Sequence, residues 1–182
     1  MKYVTLNDIE NRMPWVLDSP GDKGRVELMV VRPQTNEREV LSQALFSSEA
    51  GVTGDNWQKQ CWKTLASGQA DPVVQVAIMN ARMIDVLTRD KNQWPLAGDQ
   101  LFIDLDLSVN NLSPGTQLQI GSAVLEITAE PHRACSKFEQ RFGEVARQYV
   151  NSAQGDAHRL RGVYAKIIST GEVSTGDVIH KL

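Results

Sequence analysis

The densest chemistry in the chain lies in Pro131-His132-Arg133-Ala134-Cys135-Ser136-Lys137-Phe138-Glu139. Ser136 with Glu139 reads as a capping box, and Phe138, Phe142, Val145 and Tyr149 then recur at helical spacing. Cys135 is thereby expected just before a helix start. Unpaired backbone N–H groups there carry partial positive charge, and His132, Arg133, Lys137 and Arg141 add cationic groups nearby. All of these favour the thiolate, which makes Cys135 a candidate nucleophile or metal ligand. The competing reading is a small buried hydrophobe that packs between neighbouring elements. The basic residues are open to two readings as well. They form a solvated helix face, or they hold an anionic group such as phosphate at the helix start.

Cys61, between Gln60 and Trp62, has no such cap and reads as a structural thiol. The two cysteines lack CxxC spacing, and His132, His158 and His180 lack HExxH or HxH spacing. Neither a disulfide framework, a zinc finger nor a histidine metal site is suggested. The net charge of -3, from 19 basic and 22 acidic residues, provides no general field for nucleic acid or an anionic membrane, so any anion site must be local. No run approaches the roughly 18 apolar residues of a transmembrane helix. The N-terminal segment lacks the apolar region and cleavage site of a signal peptide, which points to a cytoplasmic address.

These side chains need a scaffold, and 182 residues with 41% hydrophobic and 23% charged content predict one soluble domain with a sizeable core. Residues 1–23 hold Pro14, Pro20 and Gly21 and read as an irregular N-terminal arm, leaving 24–182 as a single domain. Arg25 to Arg32 is rich in β-branched residues, stops at Pro33 and reads as a central strand. Asp71 to Arg89 reads as a strand running into a helix capped by Asn80. Thr116 to Ala129 reads as a hairpin turning at Gly121-Ser122. VYAKIIS and VSTGDVIHKL add at least one more strand pair. Gly-Asp pairs at 21–22, 54–55, 98–99, 155–156 and 176–177 read as turns between strands, without a fixed repeat. A mainly β fold with short helices follows, as a closed or nearly closed β-barrel that hides its strand edges.

In order along the chain, GRVELMVVRP, GVTGDNW, AGDQLFIDLDL with LSPGTQLQIGSAVLEIT, HRACSKF, and RGVYAKIISTGEVSTGDVI resemble the successive motifs of the MOSC domain. This module ends the eukaryotic molybdenum cofactor sulfurases and also stands alone in bacteria. The resemblance spans about residues 24–180 and implies a β-barrel like that of the pyruvate kinase barrel domain. It matches Cys135 to the family cysteine, which carries sulfur as a persulfide or ligates molybdenum of the pterin cofactor. The family's Gly-Glu-Asn-Leu motif reads here Gly98-Asp99-Gln100-Leu101, and the proline that often precedes the cysteine is Ala134, which implies a less rigid turn. Asp55, Trp57, Asp99 and Gln100 join the candidate cofactor-binding residues His132, Arg133, Lys137 and Arg141 because the family motifs place them on loops. For both aspartates, turn stabilisation is the competing account.

The resemblance implies two functions, and the residues leave open a third from a different class. In the first, the molybdenum-pterin cofactor binds with Cys135 as the metal ligand and basic side chains pair with its phosphate, and N-hydroxylated compounds are reduced with electrons from a separate flavin or iron-sulfur donor. Two cysteines exclude an internal cluster held by four. In the second, Cys135 takes sulfur from a cysteine desulfurase, and pyridoxal phosphate belongs to that partner alone. In the third, the chain is a non-catalytic small-molecule binding β-barrel whose mouth is shaped by Trp57, Trp62 and Trp94.

Overall fold

β1 (Arg25–Val31) forms as its apolar, β-branched content predicts, but it lies one strand in from the edge of its sheet rather than at the centre. A computed structural model describes residues 3–182. β1 joins an eight-stranded mixed sheet with β2 (Glu39–Leu41), β5 (Val76–Asn80), β6 (Leu101–Asp104), β7 (Gln117–Ile120), β8 (Ala123–Ile127), β9 (Val163–Ser169) and β11 (Ile179–Lys181), in the order β11-β7-β8-β9-β5-β6-β1-β2. β5 and β6 run parallel, and α3 (Ala81–Thr88), the next helix after the single turn α2 (Trp57–Gln60), supplies much of the crossover they need. Every other pairing in this sheet is antiparallel. A second, three-stranded sheet has the order β10-β3-β4, from β10 (Gly171–Ser174), β3 (Gln43–Ser47) and β4 (Gly51–Val52).

The sheet is an open half-barrel, which corrects the expected closed or nearly closed barrel. The physical reason lies in where the edge strands lead. The chain leaves β2 through Ser42 directly into β3, and it reaches β11 only after β10, so both edges connect to the small sheet. Ala44, Phe46, Val52 and Val173 of the small sheet share one apolar cluster with Val26, Ile78, Ile103 and Leu125 of the large sheet. Across the opening, a short bridge between Arg25 and Val178 is held by backbone hydrogen bonds that join Gly24 and Val26 to Gly176, Asp177 and Ile179.

Alternate residues of the central strands point to opposite sides. Leu101 and Ile103 enter the inner cluster, whereas Phe102 enters an outer cluster with Met79, Ile84, Phe138 and Phe142. Burial on both faces explains why β5 and β6 read as unbroken apolar runs. The hairpin turns at Gly121-Ser122 as predicted, and Asn80 caps α3 by accepting from the Met83 N–H at 2.9 Å. The C-terminal strands form, but not as one pair: β9 joins β5 and β8, β10 joins β3, and β11 joins β7.

The irregular arm is corrected as well. Residues Leu6–Leu17 form α1, with Thr5 and Asp8 in a reciprocal capping box that the proline signals obscured. Its Ile9, Met13 and Val16 pack in the outer cluster. The Gly155-Asp156 pair, read as a turn, lies inside the short helix α6 (Ala153–Ala157), whose cap is Ser152. No helix among the described residues is long and apolar enough to cross a membrane.

Candidate functional site

Cys135 is the N-cap of α4 (Ser136–Phe142) and its side chain is exposed. The helix start is where the spacing put it, but the capping box does not form. Glu139 turns instead to Arg147 at 2.6 Å, because the helix stops at Gly143 and α5 (Glu144–Val150) folds back beside it. Gly143 has φ 91°, a conformation that ends a helix readily in glycine. The break shifts the apolar face, so Ala146 and Val150 are buried where Val145 and Tyr149 were expected. At Ala134 hydrogen bonds stand where the family often has a proline ring. The Ala134 N–H, which proline lacks, donates to Asn151 Oδ1 at 2.9 Å, and Asn151 Nδ2 donates back to the Ala134 carbonyl at 2.9 Å.

Partial burial raises the Cys135 pKa, but the N–H groups of Phe138 and Lys137 and the Arg161 charge outweigh it and hold the thiol below its ordinary value. The thiol lines a cleft of about 720 Å³ together with His132, Arg133, Lys137, Arg141, Trp57 and Gln100 of the expected residues. Arg32, Arg38, Arg161, Tyr164, Cys61 and Trp62 line it as well. Six cationic side chains therefore face one cavity: Arg32, Arg38, Arg133, Lys137, Arg141 and Arg161.

Asp55 and Asp99 are placed behind this wall. Asp55 accepts from Arg32 at 2.8 and 2.9 Å, from the Trp57 N–H at 3.0 Å and from Gln100 Nε2 at 3.2 Å. The Trp57 contact is the turn-stabilising bond two residues on. Asp99, with no exposed side-chain surface, binds Arg161 Nη1 through both oxygens at 2.8 and 2.9 Å. Burial pushes its carboxyl up, against the pull of the Arg161 guanidinium. Gln100 is buried and substitutes for strand backbone, since its Oε1 accepts from the Ala77 N–H at 2.8 Å. The two aspartates each hold a wall arginine from beneath, while Gln100 lines the cleft itself and ties Asp55 to the strand. Trp57 is buried with its Nε1 lacking a hydrogen-bond partner.

The expected basic residues differ in how free they are. Arg133 is tied to Asp156 at 2.7 Å on the rim. Arg141 donates only to the Leu96 carbonyl and Arg38 to the carbonyls of Pro95 and Glu37, so among the described residues neither has a carboxylate partner. Burial and the nearby Arg141 and Arg32 charges lower the Arg38 pKa. Such crowding of like charge is unfavourable until an anion enters. Lys137 is exposed at the cleft.

His132 stacks on Tyr164 with ring centroids 4.2 Å apart, and its side chain is 6% exposed. Burial, with the Arg161 and Arg32 charges, drives its pKa well below the ordinary histidine value, so the ring is neutral. Its Nδ1 and the Arg161 Nε are buried without a hydrogen-bond partner. Arg32, Arg38, Arg161 and Tyr164 line the cleft without being among the residues expected from the sequence. One signal was available at Arg161: the following Gly162 adopts φ 114° and leaves room where a Cβ would lie 2.2 Å from the Ile78 carbonyl oxygen.

The family model for the MOSC domain matches residues 75–180, more than half of the chain. Among solved structures, the YuaD protein from Bacillus subtilis is similar at TM-score 0.63 and 15% identity, covering 86% of this chain and 94% of its own. YiiM from Escherichia coli is similar at TM-score 0.56 and 17% identity, over 87% of this chain and 69% of its own. YiiM from Geobacillus stearothermophilus has TM-score 0.56 at 10% identity, over 87% and 75%. At these identities the likeness is one of fold. No curated protein sequence matches the chain. The family match, the ordered strands and the cysteine at a helix start facing a cationic cleft lead to one conclusion: the chain belongs to the MOSC domain family, which is associated with molybdenum cofactor binding.

Proposed function

We propose that the cleft binds the molybdenum-pterin cofactor, with Cys135 as the protein ligand to molybdenum and Arg38, Lys137 and Arg141 receiving the phosphate. One observation carries this reading: cations without carboxylate partners share the cleft with an exposed thiol of lowered pKa. The residues fit the group. A thiolate is a soft ligand suited to molybdenum, planar guanidinium groups suit phosphate, and the unpartnered Trp57 Nε1 is a donor on the cleft wall. When bound, the cofactor supplies two-electron redox chemistry at the metal.

The chain's own side chains bind and orient. Asp55 holds Arg32 and Asp99 holds Arg161, which keeps the cationic wall fixed before ligand arrives. The reaction class we favour is reduction of N-hydroxylated compounds, with electrons from a separate flavin or iron-sulfur protein.

A second reading is favoured by the exposure of Cys135 itself. The thiolate attacks a persulfide on a pyridoxal-phosphate-dependent cysteine desulfurase and carries the sulfur away, while the donor cysteine leaves as a thiolate. Molybdenum per chain, measured after expression in a host that makes the cofactor and purification without chelators, separates the readings. Near-stoichiometric metal in wild type and none in a folded Cys135→Ser supports cofactor binding. Absence of metal together with a mass gain of one sulfur on Cys135 after incubation with a desulfurase supports the carrier. Ligand binding that is indifferent to Cys135→Ser sinks both and leaves a non-catalytic binding half-barrel.

A further inference from the structure

Adjoining the cleft lies a second cavity of about 220 Å³, lined in part by Thr128, Ala129, Glu130, Asp156 and Gly162. Pro131, His132, Arg133 and Arg161 line both spaces and form the wall between them. Among these four, only His132 can take a proton on one side of its ring and release one from the other. Proline has no titratable group, and arginine does not deprotonate in proteins.

The ring is held in place. Tyr164 stacks on it, and Gly162 makes room for it, since a Cβ there would come 3.2 Å from Nδ1. Nδ1 has no hydrogen-bond partner and sits 3.6 Å from Asp99 Oδ1, a carboxylate already fixed by Arg161. A carboxylate on that side favours the tautomer with its proton on Nδ1. The charged and titratable groups around the ring are Asp99, Arg161, Arg32 and Tyr164, and the two arginines together with burial keep the imidazole neutral. A neutral imidazole can accept and donate in the same transfer. The second cavity carries two carboxylates within reach of solvent, Glu130 paired with Lys63 and Asp156 paired with Arg133.

We infer that the second cavity is a proton-entry route and that His132 is the relay passing protons from it into the cleft. The inference rests on the reductase reading. Reduction of R–NH–OH by two electrons and two protons breaks the N–O bond and gives R–NH2 and water. The electrons come from the separate flavin or iron-sulfur donor, and the protons come from solvent through His132. A separate entrance is needed because ligands bound in such clefts lose most of their contact with bulk water.

Ala129 is exposed, lines only the second cavity, and can be enlarged to Leu without touching the cleft. The first test follows the exchange of the His132 ring N–H with solvent by nitrogen-15 NMR in the purified chain. Ala129→Leu is expected to slow exchange roughly tenfold, and an unchanged rate overturns the route. The second test uses molybdenum-loaded protein, an N-hydroxylated base and a chemical reductant. His132→Gln is expected to lower turnover at least roughly tenfold and to raise the solvent deuterium isotope effect, with molybdenum per chain unchanged. Loss of the metal in His132→Gln makes the residue structural and overturns the relay. If wild type loads molybdenum but reduces no N-hydroxylated compound, the reductase reading falls, and the exchange rates alone decide whether the cavity feeds His132.

Discussion

Asp99→Asn separates a positioning role from direct contact with ligand. The Asp99 side chain has no exposed surface and Arg161 is 8% exposed, with Nη1 shared between both carboxylate oxygens and Nη2 donating to the Ala97 carbonyl at 3.1 Å. Asparagine keeps the shape and one acceptor but leaves the guanidinium buried without a counter-charge. Removing one partner of a buried pair costs about 3–5 kcal/mol, and the retained acceptor places this variant near the lower end. For a chain of this size each kcal/mol moves Tm by about 2–4 °C, so a fall of roughly 6–12 °C is expected. Urea unfolding with an unchanged m-value measures the free energy, and circular dichroism follows the melt. Arg161→Met also destabilises, because it strands the carboxylate. The double variant is expected to lose less than the two single losses together, by at least about 1.5 kcal/mol. A loss below about 1 kcal/mol in Asp99→Asn, or simple additivity in the double variant, refutes the assignment of Asp99 as the anchor of Arg161.

Cys135 should alkylate with a pH–rate midpoint below that of an ordinary cysteine, because the first-turn N–H groups of α4 and Arg161 outweigh its partial burial. A midpoint at or above the ordinary value, read by mass spectrometry of the labelled peptide, refutes it. Arg38→Ala and Arg141→Ala should each weaken pyrophosphate binding by the cofactor-free chain about tenfold in calorimetry. Since each guanidinium is anchored only by carbonyl oxygens, stability should fall by no more than about 1 kcal/mol. His132 is neutral in the fold, so the unfolded chain binds the extra proton. Its contribution to stability is present in full above its unfolded pKa of about 6.5 and is lost as pH falls, with a slope approaching about 1.4 kcal/mol per pH unit. Chemical denaturation across the acid range should show that component in wild type and not in His132→Gln.

Local order was legible in the residues themselves. The alternation of Leu118/Ile120 and Leu125/Ile127 about Gly121-Ser122 gives the hairpin, and Asn80 ahead of an apolar face caps α3. The arrival of Cys135 at a helix start likewise rests on near neighbours. Patterns of this kind depend on residues two to four apart, which is the reach of strand alternation and helix turns. The same reach misled at α1, where prolines outweighed a capping box at Thr5 and Asp8, and at Glu139, where nothing nearby announces that Arg147 competes for the carboxylate.

Composition and spacing thus determined a strand-rich domain with a polarised thiol at a helix start. The tertiary structure alone decided that the sheet stays open, because its edges pass into a second sheet whose apolar face completes the inner core. It also decided that Arg32, Arg38, Arg141 and Arg161, carried by distant segments, meet in one cleft, and that Asp55 and Asp99 serve two of them from behind. Whether an arginine is a solvated surface charge or a buried, oriented donor depends on desolvation and on the carboxylate that meets it. Both are set by chain segments far away in sequence, which no local pattern records.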